Sequence, residues 1–273
     1  WEQPGTGELF KPSEEVSPAD ITSASPVPEA RKSETPRPDT SARSSDHVVP
    51  LTSIRQAIAE HMVRSVRTSP HVTTVMDADV SRIITYHDTH KAEFEQREGL
   101  KLTFTPFFVQ AVVEGLKAVP EANSSFSDEG IVLHRQINIG RAVALKSGLI
   151  VPVVKDADQL SLSGLQRAVS DLAERARVRQ LRPDEAQGST FTITNHGVSG
   201  SLLAMPIINQ PNAGILGVGA IQKRPVVVTT EGTDSIAIKP MCYLSFTFDH
   251  RIMDGALADR FLVVVVKALE RWG

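Results

Sequence analysis

Apolar residues recur every three to four positions in five stretches of this chain, which is the spacing of a helix with one buried face. Thr52 is suited to cap the first of them, and Pro106 is suited to the first turn of the third. The second stretch is the most polar of the five. The pattern therefore predicts helices over residues 53–67, 83–97, 107–119, 162–179 and 256–271.

Shorter apolar or alternating stretches, bounded by Gly and Pro, are typical of strands. They cover residues 72–80, 131–133, 139–144, 149–154, 190–195, 213–221, 226–228 and 235–248. Helices are concentrated early and strands late, so we expect an α+β fold with a mixed central sheet flanked by helices. The sequence has no internal repeat, no glycine loop for phosphate and no paired-carboxylate pattern of a glycosidase.

The first 47 residues differ in composition from the rest of the chain. They are rich in Pro, Ser, Thr, Glu and Ala and contain few large apolar residues. Such a stretch buries too little apolar surface to offset the entropy lost on ordering. We expect a flexible Pro/Ser-rich linker over residues 1–47, or a tail remnant, followed by one domain over residues 48–273.

Charge and composition argue against several classes of protein. The formal net charge of −3 argues against a broad nucleic-acid-binding surface. No apolar run approaches the roughly 20 residues of a membrane span, and no signal-peptide pattern follows Trp1. The single cysteine, Cys242, allows no disulfide within the chain, and we expect it to be buried in a strand. Because the first residue is not Met, we expect a fragment or a processed chain.

The run YLSFTFDHRIMDGALADRF, residues 243–261, is a candidate for chemistry. It places His250 at the end of a strand and Asp254 at the start of a helix. A neutral imidazole, with a pKa of about 6.5, can remove the proton of a thiol, whose pKa is about 8.5. The resulting thiolate can attack a thioester. By spacing alone, a purely structural histidine remains the alternative.

A second run, FTITNHGVSGSL, and further motifs favour a catalytic His250 over a structural one. The others include VPLTSIRQAIAEHM, LTFTPFFVQAVVEGL, INIGRAVALKSGLIVPVVKDAD, PIINQPNAGILGVGAI and FDHRIMDG. In this order they resemble the catalytic domain of the dihydrolipoamide acyltransferases of 2-oxoacid dehydrogenase complexes, over roughly residues 48–272. The resemblance implies the fold of chloramphenicol acetyltransferase, another enzyme with an HxxxD motif.

The resemblance also implies roles for individual residues. His250 falls on the general base and Asp254 on the motif aspartate, while Thr194 falls on the hydroxyl position that stabilises an oxyanion. A second set falls along the channel for coenzyme A, namely Gly219, Ile221 and Thr103. The site is implied to lie between subunits of a homotrimer, with His250 from one subunit and Thr194 from its neighbour.

Cofactors and partners follow from the same resemblance. Coenzyme A and a lipoyl group from a lipoyl domain outside this chain are expected, without a metal. The trimers are expected to build a larger cubic or dodecahedral core that binds 2-oxoacid decarboxylase and dihydrolipoamide dehydrogenase subunits, with no nucleic acid or membrane as partner. A bacterial cytoplasmic location is favoured over the mitochondrial matrix. The alternatives are a small-molecule acetyltransferase of the chloramphenicol type and a non-catalytic core scaffold.

Several assignments stay open at the level of sequence. The acyl group is acetyl, succinyl or branched-chain. Asp254 acts in catalysis or, as we favour, in an ion pair with Arg55 that fixes the turn of His250. His196 is expected at the surface or along the channel. Lys223 and Arg224 either meet the phosphates of coenzyme A or lie in a solvated turn.

Overall fold

The computed structural model describes residues 47–145 and 148–272, and Leu51–Gly273 is one compact unit. The linker prediction for residues 1–47 lies almost entirely outside the described residues. All five predicted helices are present, and the Thr52 hydroxyl caps the first by accepting the Arg55 N–H at 3.3 Å. The helices are α1 (Ser53–Thr68), α2 (Ser81–Glu98), α3 (Thr105–Ala118), α4 (Leu162–Arg177) and α5 (Gly255–Glu270).

The strands differ from the prediction mainly between residues 124 and 154. The predicted strand 139–144 is two strands, because the Ala142 N–H still bonds to Ile193 O at 3.0 Å but the next residues leave the main sheet. The strands are β1 (His71–Asp79), β2 (Ser124–Ser127), β3 (Gly130–Leu133), β4 (Ile139–Arg141), β5 (Val143–Leu145), β6 (Gly148–Ile150), β7 (Val153–Val154), β8 (Phe191–Asn195), β9 (Gly214–Val218), β10 (Gln222–Thr230) and β11 (Thr233–Asp249).

Seven strands form one mixed sheet in the order β1-β11-β9-β8-β4-β7, with β10 paired to the outer half of β11. The pairs β8–β9 and β4–β8 are parallel, and the other pairs are antiparallel. The small ladders β2–β3 and β5–β6 lie apart from it. The expected α+β fold with a mixed sheet flanked by helices is confirmed.

The core lies between one face of this sheet and helices α3 and α5. The rings of Phe191, Phe246 and Phe261 meet there, with centroids 4.5 to 5.9 Å apart. Because side chains alternate along a strand, the next residues of β11 point to the other face. Asp249, the last residue of β11, is on that second face and is only 2% exposed.

Candidate functional site

His250 lies in a tight turn directly after β11. Its N–H donates to Pro70 O at 3.0 Å, while the Ile252 and Met253 N–H groups donate to Asp249 O at 2.9 and 3.3 Å. The imidazole is exposed, and its centroid lies 5.9 Å from the ring of Phe248. The backbone of the turn is therefore fixed while the side chain stays free for a substrate.

The residues on either side of His250 form an ion pair in which Asp249 is buried and Arg251 reaches the surface. Arg251 donates to both carboxylate oxygens of Asp249, with Nη2 at 2.6 Å and Nε at 3.0 Å, and its guanidinium lies 4.2 Å from the centroid of the Phe126 ring. Burial by itself raises the pKa of Asp249, but hydrogen bonds from Arg251 and Ser69 hold that pKa below its ordinary value. This pair braces the turn, and no motif or periodicity in the sequence points to it.

Replacing Asp249 with Asn should lower the free energy of unfolding by about 1–3 kcal/mol near neutral pH, because Arg251 loses a charged acceptor. The folded pKa of Asp249 lies below the unfolded value of about 3.9. The stabilisation is thus complete above that pH and is lost as the pH falls through the folded value. Urea titrations of both proteins at several pH values measure this difference.

The matched control is Asp128→Asn, which removes the same charge from the exposed turn between β2 and β3. We expect it to leave the free energy of unfolding nearly unchanged at every pH. A difference between wild type and Asp249→Asn that persisted undiminished at the acid end would contradict the ion-pair explanation.

His71 is a second residue near this turn whose role is not evident from the sequence. It stands opposite Asp249 in the ladder of β1 and β11. Its Nε2 accepts the Ile208 N–H at 3.0 Å, so its Nδ1 carries the proton and donates to Ser69 O at 2.7 Å. His71 thus joins the segment before β9 to the strand beside the His250 turn, and its ring is occupied by these bonds.

Asp254 caps helix α5. Its carboxylate accepts the Leu257 N–H at 2.9 Å, and its side chain is exposed. The expected ion pair with Arg55 is absent from the described part of this chain, where Asp254 has no basic side chain within 4 Å. The position of Asp254 therefore fixes the start of the helix that follows the His250 turn.

Thr194 lies near the carboxyl end of β8, which is an interior strand of the sheet. It is paired with Gly217 of β9, which is in turn paired with Ser245 of β11. Its side chain is half-buried, and its hydroxyl makes no hydrogen bond within residues 47–145 and 148–272. The hydroxyl is therefore free to donate to a ligand.

Thr194 and His250 lie at opposite ends of the sheet. In the ladders, Thr194 is level with Ser245, and His250 is five residues further along the chain from Ser245. At about 3.3 Å per residue and 4.8 Å between strands, the two are about 17 Å apart along the strands and about 10 Å across them. One chain does not bring both side chains to the same carbonyl group.

Gly219 and Ile221 follow β9 at the Thr194 end of the sheet. The Gly219 N–H donates to Tyr243 O at 2.9 Å. A Cβ on Gly219 would lie 2.0 Å from Leu202 O, so the close approach of these two backbones requires glycine. The half-buried side chain of Ile221 packs against the core. Their place along a coenzyme A channel stays a prediction.

Thr103 precedes helix α3, also at the Thr194 end. Its N–H and hydroxyl both donate to Gln166 Oε1, at 2.7 and 2.9 Å. It lines a cleft of about 680 Å³ that reaches Asn195, the neighbour of Thr194. The structure thus brings Thr103, Gly219 and Thr194 to one end of the sheet and leaves His250 and Asp254 at the other.

The remaining candidates from the sequence are Cys242, His196, Lys223 and Arg224. Cys242 is fully buried, as expected, and burial raises the pKa of its thiol to about 11, so it is no nucleophile near neutral pH. His196 is half-buried, and both of its ring nitrogens are buried without a partner among the described residues. The Arg224 guanidinium lies 4.2 Å from the centroid of the Tyr243 ring, whereas Lys223 is exposed.

Residues 47–145 and 148–272 hold neither a metal cluster nor a membrane-spanning helix. No group of three or more His, Cys, Asp or Glu side chains suited to holding a metal ion is found in this part of the chain. None of its helices combines the length and apolar character needed to cross a membrane.

Comparison with known proteins identifies the family. Residues 43–273 match the model of the 2-oxoacid dehydrogenases acyltransferase (catalytic domain). The lipoamide acyltransferase component of the branched-chain alpha-keto acid dehydrogenase complex of Bacillus subtilis is 39% identical over 260 residues, which are 94% of this chain. This chain spans only 61% of the length of that relative.

Solved structures agree with this match. One is the Azotobacter vinelandii dihydrolipoamide acetyltransferase, studied for the role of a serine, a histidine and an asparagine in its catalytic mechanism. It is 35% identical, with a TM-score of 0.78 over 83% of this chain and 92% of that one. The cubic core of a pyruvate dehydrogenase multienzyme complex is 34% identical, with a TM-score of 0.80 over 86% and 96%. The chain therefore belongs to the catalytic-domain family of the 2-oxoacid dehydrogenase acyltransferases.

Proposed function

We propose that this chain transfers an acyl group between the thiol of a dihydrolipoyl group and the thiol of coenzyme A. The observation that carries the proposal is the arrangement of His250 and Thr194. A histidine free to take a proton and a hydroxyl free to donate a hydrogen bond lie at opposite ends of one sheet. Two copies of the chain can supply one each to a shared site.

His250 acts first as a base. It accepts the proton of the incoming thiol, and the thiolate attacks the thioester carbonyl. The Thr194 hydroxyl donates a hydrogen bond to the oxyanion that forms. The protonated His250 then returns its proton to the departing thiolate, so the acyl group changes thiols without an acyl-enzyme.

The exposure of His250 supports this role, since its ring has no hydrogen bond to another described side chain to break before it takes a proton. The serine and histidine studied in the Azotobacter enzyme match Thr194 and His250 in chemical type. The asparagine of that enzyme follows its histidine by four positions, as Asp254 follows His250. Asn and Asp both cap helices well, so we assign Asp254 a positioning role.

A homotrimer would supply the neighbouring subunit. The ribbon of β10 and β11 leaves Val227, Ile236 and Ile238 between 68% and 80% exposed in one chain. An apolar face of this kind is stabilised by burial against a partner. By analogy with the cubic core that this chain resembles, we propose that the trimers assemble further, into a cubic or dodecahedral core.

Partners follow from the family. The lipoyl group would arrive on a lipoyl domain outside this chain, with coenzyme A as the second substrate. A 2-oxoacid decarboxylase would load the acyl group, and dihydrolipoamide dehydrogenase would reoxidise the lipoyl arm. Because the matched relatives are bacterial, we place the chain in the bacterial cytoplasm.

The activity and the preferred acyl group are tested by comparing transfer rates from acetyl-, succinyl- and isobutyryl-coenzyme A to free dihydrolipoamide. Succinyl and isobutyryl each have two carbons more than acetyl, and succinyl also carries a carboxylate. Because a single methylene is worth about 1–3 kcal/mol in a pocket, we expect one donor to be favoured by at least about tenfold. Chloramphenicol as the acceptor serves as the control for a small-molecule acetyltransferase. Transfer to chloramphenicol but not to dihydrolipoamide, or no transfer from any donor, would overturn the proposed function.

A further inference from the structure

The cleft that contains Thr103 has a distinct position in the fold. It lies at the carboxyl ends of the parallel strands β4 and β8, between the start of α3 and the face of α4 that runs from Gln166 to Arg177. Arg141 enters it from β4, Arg177 from α4, and Asn195 from β8. Crevices at the carboxyl ends of parallel strands are common places for ligands.

The two arginines in the cleft lack acidic partners in the described part of the chain. No carboxylate lies within 4 Å of Arg141 or Arg177, and Glu174 at the rim is exposed and pairs with neither. Burial and the positive charge of Arg177 both lower the pKa of Arg141. Two guanidinium groups that repel each other in a half-buried cleft favour the binding of an anion.

Other arginines near α4 show a different arrangement. Arg175 is paired with Asp171 and Glu185, and Arg167 is paired with Glu98. These two arginines of α4 are thus paired with carboxylates, whereas Arg177 is not. The first turn of α3 also opens there, with no side chain capping its N–H groups, and adds partial positive charge.

We propose that Arg141 and Arg177 bind a phosphate group of coenzyme A, an inference that rests on the proposed function and extends it. Coenzyme A is the participant in that reaction that carries phosphates. Asn195 and Thr194 are neighbours in β8 and point to opposite faces of the sheet. The cleft is therefore beyond the reach of a short acyl group held at Thr194, but the long pantetheine arm can span the end of the strand.

The experiment is calorimetric binding to the assembled wild-type chain and to Arg141→Met. Losing a charged hydrogen-bonding partner should weaken the binding of coenzyme A by at least about tenfold. Pantetheine, which lacks phosphate, should bind both proteins equally, and Arg141→Lys should recover part of the loss. Arg179→Met is the control, since it removes one arginine just beyond α4 and outside the cleft, and it should bind coenzyme A as wild type does.

Two further ligands distinguish the source of the phosphate. Adenosine 3′,5′-bisphosphate should bind more weakly to Arg141→Met than to wild type. If it or inorganic phosphate depended on Arg141 while coenzyme A did not, the assignment to coenzyme A would be overturned in favour of a separate phosphate site. If Arg141→Met bound all of these ligands as wild type does, the phosphate site itself would be overturned. The proposed function would survive either result if transfer still required His250.

Discussion

His250→Ala should reduce acyl transfer from every donor by about 10²- to 10⁴-fold in kcat, the usual contribution of a general base. The thiol would have to lose its proton to water, so the concentration of the attacking thiolate at the thioester would fall. Because the imidazole is exposed and its ring makes no hydrogen bond to the rest of the described chain, the melting temperature should stay nearly constant. Steady-state transfer between acetyl-coenzyme A and dihydrolipoamide, with a thermal melt of each protein, measures both quantities.

His47→Ala is the control for this substitution. It removes the same side chain from an exposed position before α1, and its transfer rate should equal that of the wild type. A His250→Ala protein that kept near wild-type turnover would exclude His250 as the base. A protein that lost its assembly together with its activity would indicate that the turn, rather than the imidazole, had been damaged.

Co-assembling His250→Ala with Thr194→Ala should restore activity that neither protein has alone. The two groups are about 17 Å apart along the strands in one chain, so the proposed mechanism takes His250 from one copy and Thr194 from another. In randomly mixed trimers made from equal amounts, about one interface in four combines an intact His250 with an intact Thr194. We therefore expect about a quarter of the wild-type rate per site.

The measurement requires the two chains to be co-expressed with different affinity tags and purified through both. Mixing the separately assembled variants is the control, because subunits that do not exchange should show no recovery. If the co-purified assembly stayed as inactive as its parents, both groups would have to act from the same chain, and the shared site would be wrong.

The sequence by itself determined the main helices and strands and the candidate reactive residues at the ends of two strands. The helices over 107–119 and 256–271 follow from apolar residues at helical spacing, and the strand that ends before His250 follows from its apolar run. These patterns depend on local periodicity, which a linear sequence records directly. The run around Thr194 and its resemblance to a family supplied the second half of the candidate site.

Tertiary structure alone decided which groups face each other. In the sequence, Asp249 and Arg251 are ordinary residues of a turn. Only the structure shows that they pair and that Asp249 is 2% exposed. The sequence does not distinguish Arg141 from other residues in strands. The fold places it beside Arg177 in a cleft. Sheet order and register also set the distance between Thr194 and His250. These features depend on contacts between residues far apart in the chain, and local periodicity carries no information about such contacts.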